Sequence, residues 1–137
     1  MRTRKTFMFM LVVAATLPLA KPAAAHHSFA AEYDGNKPVT VKGKVTKVDW
    51  VNPHIVVFID AKDTGGTGSA AAWKFESNPP AWFRRVGVSR ADFAKAIGQK
   101  VTVEGNRAKD GSLYGYLLKI TYADGNSLEL VIPGADR

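Results

Sequence analysis

Apolar and polar residues alternate along most of the chain with a period of two, the spacing of half-buried strands. The alternation begins in Val39-Thr40-Val41-Lys42-Gly43-Lys44-Val45 and then changes parity, so that Val48 and Trp50 continue the apolar face. A parity change beside Gly43 predicts a bulged and bent first strand. Asn52-Pro53 breaks it, and a second strand follows over Ile55–Ala61, apolar on both faces until Asp60. After the glycine-rich loop Lys62–Ser69, a third strand over Ala71–Ser77 puts Trp73 and Phe75 on one face and Lys74 and Glu76 on the other. Asn78-Pro79-Pro80 ends it.

The alternation then gives way to a helix signal. Ser89 is an N-cap with Asp92 three residues on, Val88 and Phe93 form a hydrophobic staple, and Gly98 stops the helix after Ile97. Strands return over Lys100–Ala108, Tyr114–Tyr122 and Leu128–Ile132, joined by the turn pairs Asp110-Gly111 and Asp124-Gly125. Strands, one short helix between the third and fourth, then more strands is the order of an OB-fold-like small Greek-key barrel, mainly β; a plain β-sandwich is the rival. The apolar faces of these strands fill such a barrel without a cofactor.

Charge and composition change this picture at the N-terminus. The chain has 137 residues and a formal charge of +7, but Arg2, Arg4, Lys5 and Lys21 sit in a leader with no acid. Met1–Thr6 is basic, Phe7–Ala20 is a mostly apolar run, and Lys21–Ala25 ends in three alanines, the layout of a cleaved Sec signal peptide. Small residues at Ala23 and Ala25 place the cut before His26. The expected organisation is therefore a signal over 1–25, an arm over 26–38, the β domain over 39–133 and a tail over 134–137. The processed chain carries 15 basic and 12 acidic residues, a balance of +3. Together with export to the periplasm or outside the cell, that argues against nucleic acid as the partner and leaves no stable membrane anchor.

With no cysteine, thiolate metal sites, iron-sulfur clusters and disulfides are excluded, and any metal is held by nitrogen and oxygen. The three histidines are His26, His27 and His54. An N-terminal His26 offers its amino group and its ring as a chelate, and His54 an opposing imidazole, three nitrogens in the flat arrangement that suits Cu(II). His27 is an auxiliary ligand or a bystander, Asn52 and Pro53 hold His54, and Trp50 shields it. The bland alternative is a frayed terminus with His54 hydrogen-bonded in a turn. Hydrolase motifs are absent, and Glu76 and Asp49 read as solvated sheet-face carboxylates. Trp82-Phe83-Arg84-Arg85 reads as an exposed loop whose aromatic and guanidinium groups offer a surface for an anionic ligand.

Several segments resemble a family of small secreted proteobacterial proteins of unknown function whose processed chains open with His-His-Ser-Phe. The segments are His26–Asp34, Val41–Val45, Trp50-Val51-Asn52-Pro53-His54, Trp73-Lys74-Phe75-Glu76 and Gly105–Gly111. The resemblance implies location and fold, with no activity attached. A looser similarity to periplasmic OB-fold haem chaperones rests on strand order, and no histidine follows Tyr114 and Tyr116 to attach haem. His26 with His54 is similar to the histidine brace of periplasmic copper carriers and polysaccharide monooxygenases. Three functions follow as expectations: a non-enzymatic periplasmic copper-binding protein; a metal-free module binding a small ligand or a protein partner through the barrel face and Trp82–Arg85; or a mononuclear copper oxidase.

Overall fold

A computed structural model describes residues 28–62 and 70–130. The leader, His26, His27, the glycine-rich loop from residue 63 to 69 and the last seven residues lie outside them. The elements are α1 (Phe29–Glu32), β1 (Tyr33–Asp49), β2 (Val56–Lys62), β3 (Ala70–Glu76), α2 (Pro80–Arg85), α3 (Arg90–Ala94), β4 (Lys100–Ala108), β5 (Tyr114–Tyr122) and β6 (Ser127–Glu129).

β1 is long enough to pair with two neighbours, β2 through its second half and β4 through its first and middle parts, both antiparallel. β4 pairs antiparallel with β5, and β5 pairs parallel with β3, Glu76 facing Tyr116 in register. That last pairing closes the strands into a ring, and β6 adds to the outer side of β5. Alternation then sends Val45, Val57, Ile59, Phe75, Val103 and Ile120 inward, and a bulge at Leu118 of β5 turns Leu117 inward as well; all are essentially solvent-free. Phe83 of α2 and Phe93 of α3 plug the helical side of this core with their rings T-shaped at 4.9 Å. Burying each contributes about 1.5–3 kcal/mol.

The capping box on α3 forms as its sequence predicts. Ser89 Oγ accepts from the Asp92 amide while Asp92 accepts from the Ser89 amide. The Ser89 hydroxyl, then the Ser89 amide, donating to its carboxylate hold the exposed Asp92 down at about 2. The helix is shorter than its signal: regular geometry ends at Ala94 and turns carry the chain to Gly98, at φ +86.

Four expectations are corrected. The bulge falls not beside Gly43 but between Val45 and Lys47, where β2 skips Thr46. A second helix, α2, joins α3 between β3 and β4. Pro79-Pro80 looked like a breaker, yet a proline early in the first turn lacks only an N–H that has no helical partner there. The arm is structured from Phe29, and β1 starts at Tyr33 rather than Val39. β6 spans Ser127–Glu129 rather than Leu128–Ile132, of which Val131 and Ile132 are outside the described residues.

Candidate functional site

The closure of β5 on β3 brings one carboxylate among several donors. Glu76 is the last residue of β3, and its side chain is 13% exposed. Tyr33, the first residue of β1, donates its phenol O–H to Glu76 Oε2, and Tyr114, the first of β5, donates to the same oxygen at 3.1 Å. His54 Nδ1 lies 3.3 Å from Glu76 Oε1 and 3.0 Å from the Ser77 carbonyl oxygen. The His54 side chain is 24% exposed. Its position is set by the corner between β2 and β3, where Ser77 N–H donates to the Ile55 carbonyl and Ile55 N–H to the Asn78 carbonyl. Below this layer, Tyr116 donates to Asn78 Oδ1 at 2.5 Å, fully buried.

A carbonyl oxygen can only accept. The contact with Ser77 therefore puts the proton of the neutral imidazole on Nδ1 and leaves the lone pair on Nε2. An imidazole whose N–H is held by a carbonyl, with a carboxylate 3.3 Å away, has a fixed ring orientation, the usual support of a metal-binding histidine. The phenols stay neutral donors. Burial first, and then the Glu76 charge and hydrogen bond, push Tyr33 far above the ordinary tyrosine value. Burial and then the Glu76 charge push Tyr114 up to about 12 and raise Tyr116 as well.

The arm is fastened to this cluster. Phe29 stacks on Tyr33 at 5.5 Å and meets Tyr116 edge-on at 5.2 Å. Lys109 Nζ donates to the Ala30 carbonyl, and the Lys109 amide donates to the Glu32 carbonyl at 2.9 Å. Phe29 follows His26 and His27, which lie outside the described residues, by three and two positions.

The other expected site residues are elsewhere. Trp50 is half-buried, its ring 5.6 Å from both Phe83 and Phe93 on the helical side of the core. Asn52 is exposed, in a cis peptide bond with Pro53. Trp82 is not on an open loop: it sits in α2, half-buried, with its ring T-shaped on Phe83 at 5.1 Å. Arg84 and Arg85 are exposed in the last turn of α2. Glu76 is corrected from a solvated face residue to the centre of the cluster, whereas Asp49 does remain near solvent, paired with Lys47 at 2.7 Å. Sequence reading did not join Tyr33, Tyr114 and Phe29 to Glu76. The available signal was the parity shared by Tyr114 and Tyr116, which puts both on one side of a strand.

Among the described residues no three His, Cys, Asp or Glu side chains converge as a metal site. No helix among them is long and apolar enough to cross a membrane. The molecule is thus of a defined class, a mainly β protein whose antiparallel sheet closes into a ring, with an arm docked on a tyrosine–glutamate–histidine cluster. A model of a family of unknown function, DUF6152, matches residues 14–117, and the chain belongs to that family. No curated protein and no solved structure matches it.

Proposed function

We propose that the protein is an exported, OB-fold-like barrel that binds copper between its N-terminal arm and His54. The single observation that carries this reading is the pairing of a preset ligand with a docked arm. His54 has Nδ1 engaged and Nε2 free for a metal. The arm that carries His26 and His27 is stacked through Phe29 on Tyr33, and Tyr33 bonds the same Glu76 that backs His54. Three residues of chain reach about 10 Å from Phe29.

The OB-fold assignment is supported by the ring order β1-β2-β3-β5-β4 and by the helices between β3 and β4. Periplasmic export is supported by the leader composition. In the copper site, the free amine and imidazole of His26 chelate the ion and His54 Nε2 supplies the opposing nitrogen. His27 is close enough in the chain to assist. Glu76 acts from behind, orienting His54. Binding requires the terminal amine to lose its proton, so affinity falls as the solution is acidified below the ordinary amine range, about pH 8.

The test is a Cu(II) titration, followed by calorimetry and electron paramagnetic resonance, on secreted protein shown by mass spectrometry to begin at His26. Tight one-to-one binding with a nitrogen-rich signal is expected. It should be lost in His54→Ala and in protein with one extra residue before His26. Equal, weak binding by all three removes copper and returns the function to a metal-free binding module.

A further inference from the structure

We propose that the outer face where β1, β4 and β5 meet, at the end of the ring away from Glu76, binds a small oxyanion carrying two or more negative charges. A groove of about 650 Å3 lies there, with a floor of Val101, Tyr122 and Ala123 and a rim of Lys42, Lys44, Lys100, Thr102, Thr121 and Asp60. That volume suits a small-molecule ligand. β4 connects the two places: Lys100 opens the strand at the groove and Ala108 closes it beside Tyr33. Eight residues of strand separate them by about 26 Å.

Three observations point to an anion. First, alternation puts Lys42 and Lys44 on the same outward face of β1, and the β1–β4 register sets Lys44 directly opposite Lys100. Like charges facing each other across a ladder are destabilising, and a bound anion relieves them. Second, these ammonium groups have no carboxylate partner among the described residues. The lysine ion pairs there are made by Lys37, Lys47, Lys95 and Lys119. Asp60 faces Lys44 in the β1–β2 register without an ion pair to it, so three cations and one carboxylate leave the groove at +2. Third, the β1–β4 register sets Thr102 directly opposite Lys42. Thr102 and Thr121, cross-strand partners, add hydroxyl donors beside the cations.

Lysine is a compact point charge without the fixed fork of arginine. The groove therefore selects for charge density rather than planar shape, which polyphosphate and polycarboxylate groups share. The experiment is calorimetric titration of the full-length protein with inorganic pyrophosphate and with citrate at constant ionic strength, using chloride as the monovalent control. Saturable one-to-one binding that weakens with added salt is expected. The tighter of the two probes tells phosphate from carboxylate as the ligand chemistry. Lys44→Glu and Lys100→Glu should each weaken binding by about tenfold or more. Lys100→Glu should also raise the melting temperature, because it turns the repulsive pair with Lys44 into an attractive one, whereas Lys44→Glu also sets a like charge opposite Asp60; loss of binding in Lys100→Glu then cannot come from unfolding. Arg85→Glu should bind as the unaltered protein does, which separates this groove from the exposed cations of α2. Binding no stronger than that of chloride, or unchanged in the double variant Lys44→Glu/Lys100→Glu, overturns the proposal.

Discussion

The two ends of β4 and β5 solve opposite electrostatic problems with the same strands. At the Ala108–Tyr114 end, one half-buried carboxylate is surrounded by donors: two phenols and an imidazole converge on Glu76. At the Lys100–Tyr122 end, cations face each other in the open with no carboxylate bonded to them among the described residues. The first arrangement is satisfied within the molecule and holds the arm, β1, β3 and β5 together. The second is left unsatisfied, tolerable because water screens exposed charge well and a buried charge poorly. A closed sheet can thus hold a structural network at one end and present an unpaid electrostatic strain at the other, where a ligand relieves it.

The largest effect expected from breaking this contrast is at Glu76. Glu76→Ala strands the Tyr33 and Tyr114 hydroxyls and removes the support of His54. It should cost about 3 kcal/mol, measured as a shift in the urea midpoint. Glu76→Gln keeps a carbonyl acceptor and should lose distinctly less; equal losses would mean that the carboxylate is held by packing and not by its donors.

Next in size is the response to alkali. The folded protein keeps the Tyr33 and Tyr114 protons above the pH at which an unfolded chain gives them up, near the ordinary value of 10.0. Stability from these phenols is therefore complete below pH 10 and drains away as pH rises through about 12, the Tyr114 value. Thermal melts should fall over that window, and the fall should flatten in Tyr114→Phe. A melt as steep in the variant would place the alkaline sensitivity elsewhere.

The smallest effect is at the opposite end and has the opposite sign. Lys100→Glu should stabilise the fold by a few tenths of a kcal/mol, the scale of an exposed cross-strand charge pair. The gain should shrink in high salt, and a loss of stability would show that Lys44 and Lys100 do not repel.

Local chemistry made much of the fold legible from the sequence alone. β5 begins and ends where alternation and turn residues put it, as does β4; β2 and β3 lie within one residue. The Ser89–Asp92 capping box and the positive-φ glycines at 111 and 125 form where their neighbours specify. Each depends on residues a few positions apart, so sequence spacing carries the information. The arm escaped this reading because nothing between Phe29 and Asn36 is periodic; its order comes from Tyr116 and Lys109, far along the chain.

The candidate site follows the same division. His54 as a candidate ligand was visible by its rarity and its place after Asn52-Pro53, but its tautomer depends on Ser77, 23 residues away. Alternation correctly put Glu76 on the face opposite Phe75 and could not say what covers that face. Tyr33 and Tyr114, 43 and 38 residues away, cover it only once β3 and β5 pair in parallel and the ring closes. The sequence by itself determined the strands, the turns and the residue types able to bind a metal. Only the folded arrangement sets which carboxylate is half-buried among donors and which cations stay unpaired among the described residues, because burial and charge pairing are properties of surfaces brought together by long-range closure.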